Sequence, residues 1–185
     1  AGHPVPDEAG AAAAKRILDS VKRLSRDDLL LVLVSGGGSS LFSLPVETIA
    51  MADLRAITRE LLRCGAAIQE INTVRKHLST VQGGRLAAAC KAKILALVIS
   101  DVTGDDPTHV ASGPCAPDPT TFQDALDILT RYQCRIPEAV METLARGIRG
   151  ELAETPKPGD KVFAKTENRV IATAHQSLAA AAKFF

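Results

Sequence analysis

The chain has 185 residues, 46% of them hydrophobic and 23% charged, which suffices to bury a full core and excludes the disordered and fibrous classes. Its 22 basic residues almost balance 21 acidic ones, so no global field draws it to nucleic acid or an anionic membrane, and any anion must be bound locally. No charged segment with an apolar core opens the chain and no apolar run approaches membrane-spanning length, so a cytoplasmic protein without signal peptide or membrane span is expected.

From Gly10 to Leu24, Ala14, Ile17, Leu18, Val21 and Leu24 share one helical face, behind Asp7 and Glu8, whose charge suits a helix start. Leu29 to Val34 is apolar at every position, which predicts a strand covered on both faces of a parallel sheet. It empties into Ser35-Gly36-Gly37-Gly38-Ser39-Ser40. Ligands of parallel α/β sheets bind beyond the carboxyl ends of the strands, and glycines let successive N–H groups converge on an anion, so this segment is expected to bind phosphate or carboxylate. The competing reading is a strand-to-helix turn that simply needs glycine, because the spacing is neither G-x-G-x-x-G nor that of a P-loop. Leu41, Phe42, Leu44 and Pro45 are expected to pack over the turn.

Helical spacing recurs from Thr48 to Cys64, closed by Gly65, and again from Ile68 to Leu78, ahead of Gly83-Gly84 and a short helix at Arg85 to Cys90. Within the second of these, Arg75 or Lys76 could clamp a carboxylate or phosphate; alternatively the segment is a solvated basic face. Ile94 to Ile99 predicts a second buried strand, leaving through Ser100-Asp101-Val102-Thr103-Gly104-Asp105-Asp106-Pro107. Asp101, Asp105 and Asp106 are candidate Mg²⁺ ligands, and Asp101 is the candidate catalytic acceptor of a proton from an attacking hydroxyl. Turn and anchor roles are the alternative for all three.

Thr121-Phe122-Gln123-Asp124 has the spacing of a capping box opening a helix through Arg131, and Pro137 suits the first position of the next, with Val140, Leu144 and Ile148 buried. Gly150 to Asp160 reads as a linker, followed by a third strand at Val170 to Thr173 and a final helix. Strands separated by helices predict right-handed crossovers and an α/β, Rossmann-like, mainly parallel sheet with helices on both faces.

The four cysteines contain no Cys-x-x-Cys pair and the four histidines no zinc spacing, so buried free thiols in a reducing compartment are expected. His3, in the stiff segment His3-Pro4-Val5-Pro6-Asp7, either faces a ligand or anchors its loop. His77, His109 and His175 show no sequence partner, and none is expected to act as a base.

In this order, His3-Pro4-Val5-Pro6-Asp7, Ser35 to Ser40, Ile71-Asn72-Thr73-Val74-Arg75-Lys76-His77-Leu78-Ser79, Gly83-Gly84-Arg85-Leu86-Ala87, Ser100 to Asp106 and Ala111-Ser112-Gly113-Pro114 resemble the glycerate 2-kinase family, a class long labelled hydroxypyruvate reductases. The resemblance implies ATP- and Mg²⁺-dependent phosphorylation of D-glycerate at its 2-hydroxyl, giving 2-phosphoglycerate. It also implies that residues 1–185 are the interior of the larger, Rossmann-like domain of a two-domain enzyme, with the second domain and further catalytic residues outside this chain. Gln82 stands where the family commonly has lysine, and Cys115 where it commonly has threonine. Expected partners are glycerate and a nucleotide, with no nucleic acid or membrane, and homo-oligomerisation stays open. An NAD(P)H-dependent hydroxypyruvate reductase is the first alternative and a folded, inactive, ligand-binding fragment the second; the missing G-x-G-x-x-G argues against the former.

Overall fold

The three apolar runs form one parallel sheet, as their composition predicts. The structure, a computed structural model that describes residues 1–184, pairs β1 (Leu29–Val34) with β2 (Lys93–Ser100) and β2 with β3 (Thr166–Thr173), in the order β1-β2-β3. β3 begins earlier than its apolar part, because Thr166, Glu167, Asn168 and Arg169 alternate between half-buried and exposed positions, as a one-sided edge strand permits.

Among the described residues the two faces of the sheet are covered unequally. One face packs on α1 (Glu8–Arg23) and α5 (Arg85–Ala89), with Leu18, Val21, Leu86, Ile94 and Ala96 buried between them. On the other face Leu29, Leu31 and Leu33 are 63%, 52% and 75% exposed, and Ile99 and Ile171 are each 50% exposed, which corrects the expectation that β1 is covered on both faces. The last helix, α8 (Ala174–Phe184), follows β3 and buries none of its residues.

The crossovers between strands carry their own core. After β1 come α2 (Gly38–Leu41), a short helix not foreseen from sequence, then α3 (Met51–Arg63) and α4 (Ile68–His77); after β2 come α6 (Phe122–Arg131) and α7 (Glu138–Ile148). Helices α3, α4, α6 and α7 pack into a block around Leu54, Ile57, Leu61, Val74, Phe122, Leu129 and Leu144, each at most 2% exposed. Local signals start α1 and α6: Asp7 accepts from the Gly10 N–H at 2.8 Å, and Thr121 and Asp124 form the reciprocal capping box. Pro137 is the N-cap of α7, one residue ahead of the expected position.

A buried polar seam lies beside the block, between α4, the start of α6 and the loops at residues 118–120 and 154–157. Residues Ile71 to His77 of α4 are all buried, so this segment is not a solvated basic face. Lys76, 1% exposed, lies 3.4 Å from Asp118, which is fully buried and also accepts from the backbone N–H and hydroxyl of Thr120. His77 Nδ1 faces the Thr73 carbonyl at 2.9 Å and Nε2 faces the Glu154 carboxylate at 3.2 Å. Glu154 also accepts from the Phe122 N–H and from Lys157, so Gly150 to Asp160 is an ordered strap rather than a linker. Burial acts to raise the Glu154 carboxyl, but these donors outweigh it and hold the group at about 2; Asp118 is likewise held low by Lys76 and Thr120 against its burial.

Candidate functional site

The parallel register places residues just beyond β1 beside those just beyond β2, since Val34 pairs with Val98. Gly36 and Asp101 therefore meet, and so closely that a Cβ built on Gly36 would stand 1.9 Å from Asp101 Oδ2. Only glycine accommodates that carboxylate. Gly37, at φ 80°, adopts the left-handed turn that starts α2. Two side chains pin α2 and its exit: Gln82 Nε2 donates to the carbonyls of Ser39 and Phe42 at 2.8 and 2.9 Å, and Ser112 Oγ donates to Ser39 Oγ at 2.9 Å.

A cavity of about 160 Å³ opens on one side of this turn, lined by Gly37, Ser39 and Ser40. Facing them are His3, Asn72, Arg75, Asp101 and His109. Arg75 is the decisive group. Its side chain is 5% exposed; Nη2 donates to the Pro4 carbonyl at 3.1 Å and Nη1 to Asn72 Oδ1 at 3.4 Å, while Nε is buried without a hydrogen-bond partner. Among the described residues Arg75 forms no ion pair. Burial pulls its pKa down to about 10, which leaves it charged at neutral pH. A buried cation with an unused donor is a site that an anion completes.

A second cavity, of about 290 Å³ and mainly apolar, lies on the other side of the turn, lined by Ser35, Gly36 and Gly38 together with Ile17, Val32 and Phe42. The six turn residues expected to bind an anion are thus divided: Gly37, Ser39 and Ser40 on the smaller cavity, Ser35, Gly36 and Gly38 on the larger one.

Of the two cations weighed on α4, only Arg75 reaches the site. Lys76, its neighbour in sequence, is paired with Asp118 and lines neither cavity, which corrects its expected role. Of the three aspartates, only Asp101 lines the cavity. Asp105 sits in a left-handed turn at φ 54°, and Asp106 accepts from the Thr108 N–H at 2.8 Å, the loop roles held as the alternative. Among the described residues no group of three or more His, Cys, Asp or Glu side chains is placed to hold a metal ion. Asp101 alone matches the single carboxylate with which Mg²⁺ is commonly held together with substrate phosphates.

Sequence reasoning missed His109 and Gln82. His109 lines the smaller cavity with Nδ1 buried and unpartnered, and burial, then the nearby Lys76 charge, lowers its pKa and so favours the neutral ring. The motif containing Ser112 and Gly113 was legible, but nothing in it signalled that the preceding histidine closes the cavity. All four cysteines are free, yet Cys64 and Cys134 are only half-buried, which corrects the expectation that all four are buried.

Residues 1–145 match the family described as Domain of unknown function (DUF4147). A protein of Pyrococcus horikoshii named glycerate 2-kinase is 50% identical over 159 residues, covering 85% of this chain and 36% of its own length. A protein of Agrobacterium vitis that carries a hydroxypyruvate reductase name is 48% identical over 183 residues, covering 98% of this chain and 40% of its own. The crystal structure of a glycerate kinase from Thermotoga maritima superposes with a TM-score of 0.82 at 44% identity, covering 95% of this chain and 40% of that one. The chain therefore spans about 40% or less of the length of these relatives. No described helix is long and apolar enough to cross a membrane. With the family pattern matched over most of its length and close relatives on both measures, the chain belongs to the DUF4147 family, the family of the glycerate kinases.

Proposed function

We propose that this chain supplies part of the active site of an ATP-dependent kinase that phosphorylates the 2-hydroxyl of D-glycerate to give 2-phosphoglycerate. The observation that carries the reading is the buried Arg75, with its unused Nε, lining the same small cavity as Asp101. In this reading Arg75, helped by His3 and Asn72, binds the glycerate carboxylate. Asp101 accepts the proton of the 2-hydroxyl, and Gly37 and Ser39 offer donors to a transferring phosphoryl group. The nucleotide supplies the phosphoryl group, with Mg²⁺ to neutralise its charge; Asp101 is the carboxylate on hand for that ion. The apolar cavity beside Gly36 and Gly38 suits the nucleoside. Free thiols throughout support a reducing, cytoplasmic setting.

The test is turnover by the intact protein. With D-glycerate and ATP, phosphorus NMR is expected to detect 2-phosphoglycerate, and Arg75→Met should raise the KM for glycerate by about tenfold or more while the fold persists. Asp101→Asn keeps the shape and should lower kcat by about 10²-fold or more. The name of the Agrobacterium vitis relative favours a second reading, a hydroxypyruvate reductase. NADH oxidation in the presence of hydroxypyruvate, with no phosphoglycerate formed, would establish that reading instead.

A further inference from the structure

We propose that the chain holds a second ligand site, for a small monocarboxylate with a short apolar tail, in the cavity between Arg85 and the strap at residues 150–160. The cavity, of about 300 Å³, shares no lining residue with the two at the glycine turn, and the proposal does not rest on the reading given to them. Its walls come from separate stretches of chain: Val46 ahead of α3, Arg85 at the start of α5, Arg146 on α7 and Leu152 on the strap, with the rings of His77 and Phe122. The Gly83-Gly84-Arg85 turn supplies the charge through its side chain and not through its backbone. At φ 58° and 78° the two glycines make a left-handed turn, and their N–H groups are spent on the carbonyls of Ser112 and Gly113, at 2.9 and 2.7 Å. Arg85 is half-buried; its Nη2 donates to the Ala153 carbonyl at 3.3 Å, and Nε is buried without a hydrogen-bond partner. Among the described residues it forms no ion pair.

A guanidinium partly withdrawn from water, with a donor unused and no counterion, is completed by an anion. Burial lowers the Arg85 pKa, and Glu154 and Asp118 oppose that shift without pairing with it. The other walls choose which anion. Arg146 is engaged with Glu151 at 3.3 Å, so the attraction falls to Arg85, and the exposed Glu47, which lines the same cavity, repels a second negative charge. A monocarboxylate meets both conditions and a phosphate dianion does not. Val46, Phe122 and Leu152 offer apolar surface to a tail, and a volume at the lower end of ligand cavities keeps that tail short.

The experiment titrates the protein, labelled at its valine and leucine methyl groups, with butyrate at neutral pH and follows the methyl signals by NMR. Saturable shifts are expected at Val46 and Leu152, with a Kd of about 1 mM. Butanol, the tail without the charge, and inorganic phosphate, the charge without the tail, should each bind at least about tenfold more weakly. Arg85→Met should weaken butyrate binding by about tenfold or more. Leu152→Trp, which fills the cavity and keeps the charge, should act alike, and the methyl signals away from the cavity report that each variant is folded. The proposal is overturned if butyrate shifts no methyl group of the wild-type protein up to about 50 mM, or if the saturable shifts fall only on Leu62 and Val102 in the cavity of Arg75. It is equally overturned if butanol or phosphate binds as tightly as butyrate, or if folded Arg85→Met binds butyrate as the wild type does.

Discussion

The helical block and the sheet are both built from strongly apolar segments, yet they hide them to very different degrees. In the block, Leu54, Ile57, Leu61, Val74 and Phe122 are nearly sealed from solvent, because four helices from two crossovers surround them. In the sheet, the most apolar run of the chain exposes Leu29, Leu31 and Leu33, because among the described residues helices seal only one face. The number of layers, not hydrophobicity, decides burial. The polar seam beside the block differs again, since Lys76, His77, Asp118 and Glu154 hold it with charge and hydrogen bonds.

Phe122→Ala should expose this difference most sharply. The ring packs 5.0 Å from the His77 ring and fills the space beside Gly147, where a Cβ would come within 2.2 Å of it. Its loss should cost about 3–5 kcal/mol, read by urea denaturation. A loss below about 1 kcal/mol would show that the block relaxes more freely than its packing indicates.

The seam should respond next. Lys76→Met leaves Asp118 buried without its cation and should destabilise by about 3 kcal/mol, while adding Asp118→Leu should restore much of that. If the double variant is no better than the single, the pair is not coupled as its 3.4 Å separation indicates.

Acid should weaken the same seam before it reaches the apolar block. Glu154 is held near 2 in the folded protein, below its usual 4.5, so its contribution is present above about pH 4.5 and is lost as pH falls toward 2. Asp118, also held low, acts in the same direction. Melting midpoints measured across that window should decline, and Glu154→Gln should flatten the decline.

The smallest effect is expected on the open face of the sheet. Leu33 is 75% exposed, so Leu33→Lys should change stability by no more than about 0.5 kcal/mol by the same denaturation. A loss comparable to that of Phe122→Ala would mean that this face is covered in solution, which would erase the contrast between the regions.

The parts legible in sequence rest on local rules. The three parallel strands follow from uninterrupted apolar runs separated by helical spacing, and the starts of α1 and α6 follow from Asp7 and from Thr121 with Asp124. The strap at residues 150–160 did not read as structure because prolines and glycines mark loops whether or not the loop is anchored. What anchors it is Glu154, whose partners His77 and Phe122 lie far away in sequence.

The candidate site divides along the same line. Sequence by itself determined the glycine turn after β1, the aspartate after β2 and the cations on α4, because residue type and position relative to a strand end are local properties. Only the tertiary structure decided which of these meet. Parallel register put Asp101 on Gly36, and α4 packing turned Arg75 toward the cavity and Lys76 toward Asp118. Successive helical residues point about 100° apart, so one helix cannot aim both at the same place, and which one faces the ligand depends on what packs against the helix.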